Sequence, residues 1–87
     1  MDQVKKFKYR ESVLIELTRH GVAPLPETPP DLVHEFINDL YRYEIRVQRE
    51  RLRTGLTPKS EYASRVEQLR LRYPVLSLPV RCWAEPD

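Results

Sequence analysis

The 87-residue chain predicts an all-α fold: one helical domain over residues 1–87, with a long central helix, short flanking helices and an extended C-terminal tail. Three observations carry that expectation. Apolar residues recur at helical spacing in three segments, near residues 5–19, 29–54 and 58–72. Proline and the two glycines fall between those segments or at their first residues. No proline or glycine occurs between Pro30 and Gly55, so residues 29–54 read as a single rod of about 26 residues, roughly 39 Å long.

The first segment places Phe7, Val13, Leu14 and Leu17 near one side, with Lys6, Arg10 and Glu16 elsewhere. Gly21 supplies the left-handed position that closes a helix, and Glu16 is set to meet His20 one turn on. Val22-Ala23-Pro24-Leu25-Pro26-Glu27 is too rich in proline for helix or central strand and reads as a stiff connector. Thr28-Pro29-Pro30-Asp31 then opens the second helix, with Thr28 as cap, Pro29 at the first helical position and Asp31 at the positive end of the dipole.

Along that helix Leu32, Phe36, Leu40, Tyr43 and Val47 form one stripe, widened by Val33, Ile37, Tyr41 and Ile45, a face broad enough for two neighbours. Gly55-Leu56-Thr57-Pro58 ends it and starts the third helix, whose Tyr62, Val66, Leu69 and Tyr73 mark one side. The short turn makes the pair an antiparallel hairpin, with the third helix covering the Tyr43–Val47 face and the first helix covering the other half of the rod. The tail, residues 73–87, alternates like a strand around Pro79. It is expected to lie along the helices, its edge pairing with a second chain if with anything, and Glu85-Pro86-Asp87 to fray. Trp83 should anchor it, because a lone indole is costly to leave in water.

The chemistry of enzymes is thinly represented. His20, His34 and Cys82 are far apart in sequence and lack the close spacing of a metal-ligand set, so no metal or other cofactor is expected. Cys82 beside Arg81 has no catalytic partner in sequence, and Ser12, Ser60, Ser64 and Ser77 sit in no active-serine motif. Glu35 and Asp39 share a helix face but have Arg42 at hand to neutralise them. No glycine-rich phosphate loop occurs. The chain therefore reads as a non-enzyme. Met1 to Lys8 carry no apolar run behind their basic residues, no segment is long and apolar enough for a membrane span, and the lone cysteine fits a reducing compartment, so cytoplasmic residence is expected.

Eleven arginines against four lysines concentrate the chain's recognition chemistry, since the planar guanidinium suits bidentate contact with carboxylates and phosphates. Arg42, Arg46, Arg49 and Arg53 recur along one side of the second helix, where Glu50 tempers Arg46 or Arg53. Together with Tyr41, Arg70 of the third helix and Trp83, they form the expected partner-contact set. Arginine with aromatic residues is the composition of protein interfaces, and the interspersed glutamates repel phosphate. The expectation is a small protein-interaction or adaptor domain, self-associating through its long helix and tail or binding another protein. The alternative is nucleic-acid binding through the arginines of the second and third helices.

Overall fold

A computed structural model describes residues 5–85. It shows an all-α domain with a long central helix, two shorter flanking helices and an extended C-terminal region. The element order is β1 (Lys8–Tyr9), α1 (Glu11–Arg19), α2 (Pro30–Arg53), α3 (Lys59–Leu71), single 3-10 turns at Pro74–Ser77 and Val80–Cys82, and β2 (Ala84–Glu85). The central rod is unbroken for 24 residues.

Both glycines behave as helix terminators. Gly21 has φ 74° and Gly55 φ 83°, the left-handed region that other residues enter only at a cost. After α1, Val22 N–H reaches back to the Leu17 carbonyl and Gly21 N–H to that of Thr18, each within 3.0 Å, which satisfies carbonyls the helix leaves unpaired. At the hairpin, Gly55 N–H meets the Leu52 carbonyl and Thr57 N–H the Arg51 carbonyl.

The N-terminal boundaries of α2 and α3 differ from expectation by one residue. Pro29 and Pro58 are the capping residues, and neither helix receives a side-chain cap. Thr28 instead closes the connector: its hydroxyl accepts from Leu25 N–H at 3.2 Å and its carbonyl from the Tyr9 hydroxyl at 2.6 Å. Thr57 is buried at the hairpin turn.

The first helix begins at Glu11 rather than near residue 5. Phe7 N–H is bound by the Pro26 carbonyl at 2.7 Å, and Lys8 and Tyr9 pair antiparallel with Glu85 and Ala84. Lys8 and Glu85 add an exposed ion pair at 3.3 Å. A distant stretch of the same chain thus takes the ladder hydrogen bonds expected from a second copy. Glu85, expected to fray, is in this strand; Pro86 and Asp87, like Met1 to Val4, lie outside the described residues.

The core sits at one end of the molecule. Val13 and Leu17 of α1, Val33 and Ile37 of α2, Leu69 of α3 and Tyr73, Val75 and Trp83 of the C-terminal region bury against one another. The flanking helices do not share α2 equally. The chief partner of α1 is the 3-10 turn Pro74–Ser77, while α2 packs on α3 and on both turns. Beyond Ile37 no residue of α2 is fully buried, so the outer part of the α2–α3 hairpin projects from the core. The resulting radius of gyration, 16.3 Å, exceeds the roughly 12 Å of a compact chain this long.

Two apolar stripes on α2 are available for burial; the fold buries one and, of the other, packs Leu40 against the core. Val33 and Ile37 are in the core, with Tyr41 and Ile45 packed against it. Leu32, Phe36 and Tyr43 remain 59%, 57% and 60% exposed. Accordingly α3 covers the Tyr41–Ile45 side rather than the Tyr43–Val47 face. The side chain of Leu69 is the only one that α3 buries completely among the described residues.

Candidate interaction surface

The seven residues anticipated as partner contacts separate into three groups. Tyr41, Arg42, Arg46, Arg49 and Arg70 come together around one open groove of about 720 Å³ between α2 and α3. Arg53 lies at the hairpin end, held by Glu50. Trp83 is elsewhere, in the core.

The groove follows from antiparallel pairing of two helices with few large side chains between them. Ile45 and Val66 form its apolar floor and Tyr41 and Tyr62 supply aromatic sides, while the arginines rim it. Arg42, Arg46 and Arg49 are spaced by four and three residues, placing all three on the same side of α2. Each is exposed, and none has a carboxylate within 4.0 Å among the described residues. Arg70 faces them from α3 and meets Glu67 only at 3.7 Å.

Two nearby carboxylates, those of Glu50 and Glu44, are occupied elsewhere. Glu50 receives Arg53 Nε at 3.1 Å on one oxygen and its Nη2 on the other, and this hydrogen bond, reinforced by the Arg53 charge, holds its carboxyl below the usual carboxylate range. Glu44 accepts from the Tyr73 hydroxyl. Burial first, and then the Glu44 hydrogen bond and charge, push the Tyr73 hydroxyl well above the ordinary phenol range. Asp39, expected to neutralise Arg42, makes no ion pair with it. Four guanidinium groups therefore surround an apolar slot with little internal compensation.

Trp83 anchors the C-terminal segment in the core, away from the groove. It is 0% exposed, its indole N–H donates to the Leu78 carbonyl at 3.0 Å, and its ring packs at 5.2 Å from His34. Its carbonyl accepts Arg10 N–H at 2.9 Å, so the same residue fastens the strand pair to the core. A buried indole with its one donor already used has nothing left to offer a ligand.

His20 stacks on Tyr73 with ring centroids 4.2 Å apart, and Tyr73 meets Tyr41 edge-on at 5.2 Å. These aromatic contacts join α1 to the base of the hairpin. Cys82 is half-buried and free. Among the described residues, no group of three or more His, Cys, Asp or Glu side chains gathers as a metal-ion site, and no helix is long and apolar enough to cross a membrane.

The groove's floor was only partly legible in sequence. Tyr62 and Val66 appear there as one face of the third helix, and Ile45 as the edge of the α2 stripe. Their meeting depends on the rotation of one helix against the other, for which spacing along either helix gives no signal. No family model matches the chain, and no curated protein or solved structure is significantly similar to it.

Proposed function

We propose that this chain is a protein-interaction domain whose α2–α3 groove receives an acidic, apolar-faced helix of a partner protein. The observation that carries this reading is the juxtaposition of Arg42, Arg46, Arg49 and Arg70 with Tyr41 and Tyr62 over the Ile45–Val66 floor. Carboxylates on such a helix satisfy guanidinium forks, and its apolar face displaces water from the slot. A duplex that contacts the arginines through its phosphate backbone leaves the Ile45–Val66 floor unfilled, which favours protein over duplex nucleic acid. Recognition rather than catalysis is the task proposed for these groups.

Selection of helical peptides from a displayed random library tests the reading. Enriched sequences are expected to combine glutamate or aspartate with leucine-like residues one turn apart. Their binding should fall at least about tenfold on Arg46→Glu or Tyr62→Ala. Failure to enrich acidic amphipathic sequences defeats the proposal. Saturable, steeply salt-dependent binding of an oligonucleotide in place of the peptides favours the phosphate-binding alternative.

A further inference from the structure

The solvent face of α2, on the side away from the core residues Val33 and Ile37, has an ordered charge pattern. Asp31, Glu35 and Asp39 follow one another at every fourth residue in its N-terminal half. Arg42, Arg46, Arg49 and Arg53 continue in its C-terminal half. At about 100° per residue, all seven fall within roughly 80° of the helix circumference. Acidic and basic groups thus occupy one continuous strip, divided near the middle of the rod. All seven are exposed, and Asp31, Glu35 and Asp39 have no cation within 4.0 Å among the described residues.

Beside this strip runs the unused apolar stripe, Leu32, Phe36 and Tyr43, each more than half exposed. A helix rotated by half a turn about an axis near residues 40 and 41 presents the same strip in reverse. Asp39 then faces Arg42 of the other copy, Glu35 faces Arg46 and Asp31 faces Arg49. Every pair occurs twice by symmetry. In the same register Phe36 lies about 3 Å along the axis from Tyr43 of the other copy, and Leu32 the same distance from Val47. Charge and apolar patterns agree on one register.

We propose that the chain forms an antiparallel homodimer through this face of α2, with the acidic half of each rod against the basic half of the other. The surface is self-complementary, as a two-fold interface must be. Parallel pairing is disfavoured because it sets acid against acid and arginine against arginine. The dimer face shares only its arginines with the groove: Glu35, Phe36 and Leu32 contribute nothing to the groove, and Tyr62 and Val66 nothing to the dimer. Arg42, Arg46 and Arg49 stand on the ridge between the two surfaces.

Sedimentation velocity over a range of protein and salt concentrations, with charge-reversed variants, tests the proposal. Wild-type protein is expected to dimerise and to dissociate progressively as salt rises. Glu35→Arg alone and Arg46→Glu alone should each weaken the dimer at least about tenfold, because each sets like charges together twice. The double variant carrying both reversals should recover most of the wild-type association. Phe36→Ala should weaken the dimer with little effect on unfolding by urea, since the ring is largely exposed in the single chain.

A strict monomer at every concentration overturns the proposal, as does a dimer that the single reversals leave intact or that the double variant fails to restore. The groove reading stands or falls separately. Tyr62→Ala should weaken peptide binding and spare the dimer, whereas Glu35→Arg should weaken the dimer and spare peptide binding.

Discussion

Replacing Trp83 with alanine should remove a large share of the domain's stability, and the size of the loss follows from its surroundings. The side chain is completely buried and its indole N–H is spent on the Leu78 carbonyl. Burying 150–250 Å² of aromatic surface at about 25 cal/mol per Å² gives roughly 4–6 kcal/mol, an upper figure because the unfolded chain already hides some of it. Measured truncations of buried aromatics cluster at about 3–5 kcal/mol, so about 4 kcal/mol is expected. A chain of this length has roughly 4–13 kcal/mol in all, and Trp83→Ala therefore removes a third or more. Trp83→Phe keeps a ring but leaves the carbonyl unpaired, with an expected loss of about 1–2 kcal/mol. Urea unfolding followed by far-UV circular dichroism measures both without relying on the tryptophan itself. A loss below about 1 kcal/mol for the alanine variant refutes the anchoring role.

Three further outcomes are expected. Gly55→Ala should lower stability by about 1 kcal/mol in the same urea assay, because its φ of 83° strains a residue with a Cβ although that Cβ meets no atom within 4 Å. Stability should fall above about pH 10, the unperturbed phenol value: burial raises Tyr9, and burial with the Glu44 bond raises Tyr73, so the unfolded chain loses these protons first. A pH titration of the urea midpoint checks this, and Tyr73→Phe should flatten the alkaline fall. In hydrogen exchange of the monomeric Glu35→Arg variant, amides of Gln48 to Leu52 should exchange at least about tenfold faster than those of Ile37 and Leu69, because the buried contacts lie at the hairpin's base. Equal protection along the rod contradicts that gradient.

The parts of this protein that depend on neighbouring residues were readable along the chain. Pro30 opens α2, Gly55 closes it, and no proline or glycine interrupts the residues between, so its length followed from local backbone chemistry. The arginine side of α2 was readable for the same reason, since a period near 3.6 places Arg42, Arg46 and Arg49 together. What lies between distant segments was not. Leu32 with Phe36 and Val33 with Ile37 satisfy helical spacing equally well, about 100° apart, and only the packing of α3 and the C-terminal turns decides which pair enters the core. The pairing of Lys8–Tyr9 with Ala84–Glu85 joins the two ends of the chain, and no local pattern in either segment specifies the other. Trp83 illustrates the division most plainly: its apolar bulk required cover from the outset, but whether its own chain or a partner supplies that cover is settled by the tertiary contacts that enclose the indole and take up its one hydrogen bond.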